Sequence, residues 1–259
     1  MDVQQSESLP GPHRFQAASP LLRTRLGKSR YLSADERRVI DDALSSPRSI
    51  RPNVDLVREG EPADSIFILV EGWACRYATT QGGSRQLPAV LVPGDVGNLD
   101  TLMFDQLGYG VRTLTEASVV ALSRDRASAL AAEHPGIART FTWLALVENA
   151  ILSAWSLSLG RRSALARIAH LFCEMNVRLE AGEEDGSSFA FPLTQEQMAD
   201  ALGLTSVHVN RTLQQLRSKG LAVTASRTVT LPDVEALRRL GSFDPGYLHI
   251  DPPAPAQPA

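Results

Sequence analysis

Cysteine is scarce in this sequence, whose 259 residues include only Cys75 and Cys173. Two thiols are too few for a disulfide scaffold or for a four-cysteine zinc site. They are also too few for the ligand set of an iron–sulfur cluster, so we do not expect such a cluster. The low cysteine content favours a reducing compartment.

Long hydrophobic runs are missing as well. No uninterrupted apolar stretch approaches the roughly eighteen residues that a membrane-spanning helix needs. The opening sequence, MDVQQSESLPGPHRFQ, contains no apolar segment of the kind found in signal peptides. We therefore expect a cytoplasmic protein with no membrane partner.

The chain has no excess of basic charge. Its formal net charge at pH 7 is −3, from 26 basic and 29 acidic side chains. This balance excludes a uniformly basic nucleic-acid coat, but it leaves room for the local basic face that a sequence-specific DNA reader needs. With 43% hydrophobic and 21% charged residues, the composition is typical of a globular protein of one or two domains.

Two classes of enzyme lack the residues that they would need. A metal-dependent β-barrel enzyme uses clustered histidines and carboxylates on neighbouring strands. All five histidines, however, lie outside residues 45–125, where strands are predicted. No Gly-x-Ser-x-Gly sequence marks a nucleophilic serine. We therefore expect a protein that is not an enzyme, with no catalytic residues and no bound metal.

Residues 45–125 alternate short apolar segments with turn-forming residues. The segments Ser65–Val70 and Leu87–Val92 are rich in β-branched and other apolar residues, and glycine-containing turns separate them from their neighbours. Several short strands with closely spaced turns are typical of a β-sandwich or a barrel-like roll. The recurrence of the glycine turns predicts a jelly-roll-like wrap.

A long helix is predicted over residues 137–159, which contain neither glycine nor proline. Its apolar stripe has the spacing of a coiled-coil seam and consists of Ile137, Leu144, Val147, Ile151 and Ala154. Periodicity alone fits packing on the chain's own sheet as well as it fits packing on a twin helix. Gly160 ends the pattern and indicates a hinge.

The most informative pattern lies near residue 200. Thr194 and Gln197 have the spacing of a capping box for a helix that ends at Gly203. Thr205 caps a second predicted helix, which runs from residue 206 to 219. Two helices joined by a tight glycine turn form a helix-turn-helix, whose second helix lies in the major groove of DNA.

The charges around the second helix favour DNA over a plain helical hairpin. The segment Leu204–Gly220 contains three basic residues and no acidic residue. A predicted hairpin at residues 221–231 resembles a wing and has Arg227 at its turn. The residues suited to phosphates or base edges in this region are Ser206, His208, Asn210, Arg211, Arg217, Lys219 and Arg227.

The stretch LTQEQMADALGLTSVHVNRTL, residues 193–213, resembles the DNA-binding signature of the CRP/FNR family of transcription regulators. Residues 55–72 and the Pro-Gly-Asp turn at 93–95 resemble that family's cyclic-nucleotide-binding β-roll. Covering roughly residues 20–240, the resemblance implies an α+β protein with an N-terminal jelly-roll-like β-roll, a long dimerisation helix and a C-terminal winged helix-turn-helix. It implies a homodimer on double-stranded DNA. The apolar stripe of the long helix would then pack against the same helix of the second copy.

The resemblance also assigns roles within the helix-turn-helix. It places Thr205, Ser206, Val207, His208 and Arg211 at the exposed recognition positions. Thr194 and Gln195 come where the first helix meets phosphate. We expect Arg211 to reach a base, since arginine is suited to a bidentate contact with guanine. Ser206 and Val207 replace a charged pair common in well-known members, so their operator preference does not carry over. RNA polymerase is a further partner implied by the resemblance.

Five segments are expected along the chain. They are a flexible tail at 1–20, a β-roll sensor at 21–133, a dimerisation helix at 134–159, a winged helix-turn-helix at 160–241 and a C-terminal tail at 242–259.

The sensor departs from the family's cyclic-nucleotide pattern. Cyclic-AMP-responsive members hold the ribose with a Gly-Glu pair, and Gly97-Asn98 stands there in this chain, without the carboxylate. The family's phosphate-binding arginine falls near Leu107, and no cation follows before Arg112. A cyclic phosphate buried without a guanidinium would be poorly compensated. We therefore predict no cyclic nucleotide and no other cofactor, and the effector stays open.

The alternative to a regulator is a β-roll interaction module or ligand-binding protein that does not bind DNA. The two hypotheses differ in salt dependence, because binding through phosphates weakens as the salt concentration rises. A module of the second kind has no such affinity for any duplex.

Overall fold

The computed structural model describes residues 25–180 and 187–250. The predicted tail at 1–20 lies outside these ranges, as do residues 181–186 and 251–259. Within the described part, no helix is both long and apolar enough to span a membrane.

The described chain contains ten strands and eight α-helices; seven strands follow one another in the N-terminal part, and three lie among the helices of the C-terminal part. The strands are β1 Arg48–Ile50, β2 Asp55–Val57, β3 Ser65–Glu71, β4 Ala74–Thr79, β5 Arg85–Leu91, β6 Gly110–Thr113, β7 Ala117–Ser123, β8 Ser187–Ala190, β9 Val223–Ala225 and β10 Thr228–Leu231. The α-helices are α1 Arg25–Lys28, α2 Ala34–Ala43, α3 Arg124–Glu133, α4 Pro135–Arg161, α5 Ala164–Arg178, α6 Gln195–Leu202, α7 Ser206–Ser218 and α8 Val234–Gly241. Two short 3-10 helices, Leu99–Leu102 and Pro245–Leu248, complete the elements.

The first seven strands form the predicted β-roll. One antiparallel sheet has the order β1-β7-β3, and the other has the order β2-β6-β4-β5. Side chains alternate along β3, as the period of a strand requires: Leu69 packs between the two sheets, whereas Ile66 and Ile68 pack against the helices. The predicted α+β class is confirmed.

The apolar stripe predicted for the dimer seam of α4 is buried within the chain itself. Ile137 and Leu144 belong to the core between the β-roll and its helices, and Val147 and Ile151 belong to a core shared with the C-terminal domain. Ala154 is half-buried. This corrects the predicted interface, because the chain's own domains already cover those four side chains. The opposite side of α4 is open to solvent.

The predicted hinge at Gly160 is also corrected. Helix α4 continues through Gly160 to Arg161, because a single glycine lowers helix stability by only about 1 kcal/mol. Arg162 is extended, and Ser163 then caps α5 by accepting a hydrogen bond from the Ala166 N–H. The turn between α4 and α5 is therefore tight.

The C-terminal domain contains elements that the sequence did not predict. Strand β8, at the end of a predicted loop, pairs with β10 and extends the wing into a three-stranded sheet of order β8-β10-β9. Residues 242–250, predicted as part of a tail, include the 3-10 helix Pro245–Leu248, whose Leu248 is buried. This segment belongs to the folded domain because Leu248 joins its core.

Candidate DNA-binding interface

Helix α6 is fixed at both ends by local hydrogen bonds. The Thr194 hydroxyl accepts from the Gln197 N–H at 3.1 Å, and the Gln197 Oε1 accepts from the Thr194 N–H at 2.9 Å. Gly203 at the other end has φ 61°, the left-handed conformation that glycine adopts without strain. The predicted capping box and turn are confirmed.

Thr205, one residue after Leu204, caps the start of helix α7. The Thr205 hydroxyl accepts a hydrogen bond from the His208 N–H at 3.2 Å. Because this hydroxyl is committed to the cap, it fixes where the first turn of α7 begins. The positive end of the helix dipole is exposed there, which favours a negatively charged group such as a phosphate.

One face of α7 is buried and the other is open. Val209 and Leu216 are fully buried, and Thr212 is nearly so, with its hydroxyl donating to the His208 carbonyl at 2.8 Å. Val207, in contrast, is 68% exposed. All the residues predicted to contact DNA are exposed: Thr194, Gln195, Thr205, Ser206, Val207, His208, Asn210, Arg211, Arg217, Lys219 and Arg227.

A side-chain hydrogen bond joins the exposed faces of the two helices. The Asn210 amide nitrogen donates to the Gln195 Oε1 at 3.3 Å. The bond places the start of α6 and the middle of α7 on one continuous polar surface. The structure therefore brings together two residues that the sequence suggested separately.

Gln214 lies on this surface and was missed by the sequence reasoning. It is exposed and lies three residues after Arg211 and seven after Val207, so the three share one helical face. That spacing is visible in the sequence and would have identified it. A glutamine amide is well suited to the edge of adenine.

The charged side chains on the exposed face of α7 are all basic. It carries Arg211 and Arg217, and Lys219 follows at the C-cap, whereas α7 contains no carboxylate. In the part of the chain that the structure describes, none of these three cations forms an ion pair. Their charge is therefore available to phosphate oxygens.

The wing ends in a two-residue turn that displays Arg227. Ser226 and Arg227 both have positive φ, 49° and 61°, and link the paired residues Ala225 and Thr228. This is the backbone of a type I′ hairpin. The Arg227 carbonyl accepts from the Phe191 N–H at 2.7 Å, which anchors the turn while its side chain stays exposed.

In the β-roll, the side chain of Asn98 is used internally. Its Oδ1 accepts from the Phe67 N–H at 2.8 Å, and its Nδ2 donates to the Ser65 carbonyl and the Thr101 hydroxyl, both at 2.8 Å. Asn98 is fully buried. The amide therefore holds the loop after Gly97 to strand β3.

A buried arginine that the sequence reasoning missed lies beside this loop. The Arg76 Nε donates to the Gly97 carbonyl at 2.7 Å, its guanidinium pairs with Glu148 of α4, and it lies 4.6 Å from the centre of the Tyr109 ring. Glu148 therefore offsets its charge, whereas the buried Arg76 Nη2 has no hydrogen-bond partner among the described residues. Arg112, the cation noted in the sequence, makes a two-point ion pair with Asp55 at 2.7 and 2.8 Å.

Neither cysteine is poised for reaction. Burial raises the pKa of the Cys75 and Cys173 thiols to about 12, so both stay protonated near neutral pH. Among the residues that the structure describes, no group of three or more histidine, cysteine or acidic side chains is arranged to hold a metal ion.

Comparisons with known proteins agree on both domains. The model of the Crp-like helix-turn-helix domain matches residues 166–240, and that of the cyclic nucleotide-binding domain matches residues 47–134. The nitrogen fixation regulation protein FixK of Azorhizobium caulinodans is 28% identical over 205 residues, which cover 77% of this chain and 81% of the relative. The transcriptional activator protein FnrL of Cereibacter sphaeroides is 29% identical over 210 residues, with 78% and 84% covered.

Solved structures share the fold. The structure of FixK2 from Bradyrhizobium japonicum superposes with a TM-score of 0.69 at 26% identity, over 75% of this chain and 96% of that one. The transcriptional regulator TTHB099 from Thermus thermophilus, at 24% identity, gives a TM-score of 0.61 over 76% and 97% of the two chains.

Proposed function

The chain belongs to the CRP/FNR family of transcription regulators, and from this we infer that it binds DNA sequence-specifically as a homodimer. The observation that carries the inference is the exposed face of α7, which is capped at its start, free of acidic residues and lined by Arg211 and Gln214. A helix of this kind fits the major groove.

Contacts within the interface divide into two kinds. We assign base contacts to Val207, Arg211 and Gln214, because they share the outermost face of α7. Phosphate contacts are assigned to Arg217, Lys219 and the wing residue Arg227, whose charges flank that face. Base contacts specify the sequence, whereas phosphate contacts position the protein on any duplex.

We place the contact with a second copy of the chain on the solvent-exposed side of α4. Leu146 and Leu157 are 63% and 56% exposed there, and they lie about three helical turns apart, on one face of the helix. Two exposed leucines on one helical face favour a partner helix. A homodimer of this kind presents two copies of α7 to successive major grooves about 34 Å apart, so its site is an inverted repeat.

Cyclic nucleotide is not the ligand that the β-roll favours. Asn98 takes the place of a carboxylate and uses its amide on the protein backbone, while Arg76 is already paired with Glu148. A cyclic phosphate at this guanidinium would share it with Glu148, whose carboxylate repels a second negative charge.

The partners beyond DNA follow from the relatives. FnrL is named a transcriptional activator protein, which supports RNA polymerase as the protein that this chain meets at a promoter. We therefore place the protein in the cytoplasm, with chromosomal DNA, and assign it no catalytic activity.

Selection of binding sites from random duplex DNA tests the proposal. We expect the full chain to enrich an inverted repeat whose half-sites are about one helical turn apart, centre to centre. Failure to enrich any repeat at low salt, with the protein folded, would instead support an interaction module that does not bind DNA.

A further inference from the structure

One segment of the β-roll makes polar contacts with the C-terminal domain of the same chain. This docking segment comprises residues 85–95. At its start, Arg85 pairs with Asp200 of α6 at 2.7 Å, and the Gln86 amide nitrogen donates to the Ala201 carbonyl at 3.2 Å. The first helix of the helix-turn-helix is therefore tied to the sensor.

The end of the docking segment is tied to α5 through Arg178. The guanidinium of Arg178 pairs with Asp95 and donates to the Val90 carbonyl at 3.1 Å. The same guanidinium pairs with Glu174 at 2.9 Å. The side chains of Arg178 and Asp95 are 4% and 9% exposed, so the pair is shielded from solvent. A buried pair of this kind has a defined geometry because neither charge can find water instead.

Glu174 extends this ion pair to the long helix and to the end of the domain. Its Oε2 accepts from the Trp155 indole N–H at 2.8 Å and from the Tyr247 hydroxyl at 2.7 Å. The carboxylate is completely buried. Three elements that meet at this point are thereby held in one arrangement: α4, α5 and the 3-10 helix Pro245–Leu248.

Apolar contacts run through the same junction. Leu87, Val90 and Val92 of the docking segment belong to one hydrophobic core with the C-terminal domain. Trp73 of the roll meets Phe191 edge to face, with ring centres 5.8 Å apart. The junction is therefore a packed interface.

The recognition helix depends on the helices that the docking segment holds. Val209 and Leu216 of α7 lie in the same core as Ile168 of α5 and Met198 of α6. A change in the seating of α5 and α6 on the roll would move α7 relative to α4. In a dimer joined along α4, that movement would change the distance between the two recognition helices.

We infer that Arg85 and Arg178 are positioning residues. They determine at which spacing between the two DNA half-sites the dimer binds most tightly. This inference rests on the proposed function. They act through α5 and α6 and touch no DNA. Arg85 is the more accessible of the two, with its side chain 35% exposed, so its removal leaves the core intact.

The test uses the full chain and the inverted repeat enriched by selection. Binding of the wild type and of Arg85→Ala and Arg178→Met is measured on duplexes whose spacer is shortened or lengthened by single base pairs, and on a single half-site. We expect the wild type to discriminate between adjacent spacings by about tenfold, a common size for coupling between two sites. Both variants should bind the duplexes of different spacing with almost equal affinity. Their affinity for the single half-site should stay at the wild-type value.

Two further variants sharpen the result. Arg58→Ala, which removes an arginine paired only within the roll, should keep the wild-type spacing profile. The exchange Arg85→Asp with Asp200→Arg should restore the profile that Arg85→Ala loses. Variants that weaken binding equally at every spacing and on the half-site would show a merely structural role and overturn the inference. A wild type that binds no duplex would instead overturn the proposed function.

Discussion

Leu146 and Val147 are adjacent in α4 and lie about 100° apart around its axis, yet 63% of Leu146 and only 2% of Val147 is exposed to solvent. Val147 packs in the core that α4 shares with the C-terminal domain. The side of the helix that carries Leu146 has no cover from the described chain. It is therefore the side on which a second copy gains most by packing.

Replacing the exposed leucines with charged residues should separate the dimer. We expect Leu146→Glu combined with Leu157→Glu to sediment at the monomer mass of 28.1 kDa, because four like charges would face each other across the seam. Affinity for an inverted repeat should fall by about a hundredfold, as the second half-site no longer adds to the first. Ala132→Glu, at an exposed position of α3, is the matched control and should remain dimeric. A double variant that stays dimeric would place the interface elsewhere.

Loss of Arg211 should relax recognition at one base position in each half-site. We expect Arg211→Ala to lose about 1–3 kcal/mol on the preferred duplex and to discriminate less among the four bases there. Competition binding against duplexes changed at single positions measures both effects. Arg126→Ala, an exposed arginine on α3, should behave as the wild type. Unchanged base preference in Arg211→Ala would remove this residue from the base contacts.

Lys219 should contribute to affinity without contributing to sequence preference. We expect Lys219→Ala to weaken binding to all duplexes alike and to reduce the slope of log affinity against log salt by about 1, because one phosphate contact is lost. Titration with salt on the preferred duplex and on an unrelated one gives the slope. A variant with the wild-type slope would show that Lys219 does not meet phosphate.

Acid should destabilise the link between α2 and α4. Hydrogen bonds from Ser33, together with one from the Gly136 N–H at 2.6 Å, hold the pKa of Glu36 below its usual value. The unfolded chain then takes up the proton first, near pH 4.3, so the stability that this carboxylate provides is present above that pH and is lost as the pH falls towards the lower folded pKa.

Glu36→Gln isolates this contribution. Its melting temperature should decline less steeply than that of the wild type between about pH 5 and pH 3, since the variant has no carboxylate to protonate. Glu133→Gln, at an exposed position of α3, should follow the wild type. If the melting temperatures of the wild type and of Glu36→Gln fall equally with pH, the pKa of Glu36 is not lowered in the folded protein.

Local signals in the sequence predicted the helix-turn-helix well. The caps formed by Thr194 and Thr205 and the glycine turn at Gly203 depend on neighbouring residues only, so spacing was enough to find them. The exposed face of α7 followed from its period. Periodicity would also have found Gln214.

Features that depend on distant parts of the chain were not predictable in this way. The period of α4 identified a buried stripe at Val147 and Ile151, but a period does not say which surface covers it. The pairing of Arg76 with Glu148 joins strand β4 to α4, and that of Arg178 with Asp95 joins α5 to the roll. Only the three-dimensional packing brings these residues together.

The central claim is that two copies of this chain bind one duplex through α7, and sedimentation of a labelled inverted-repeat duplex with the full chain tests it most directly. We predict a single complex of two chains per duplex whose affinity falls as salt is raised, because phosphate contacts release counterions. A folded, dimeric protein that leaves the duplex free at low salt would contradict the account.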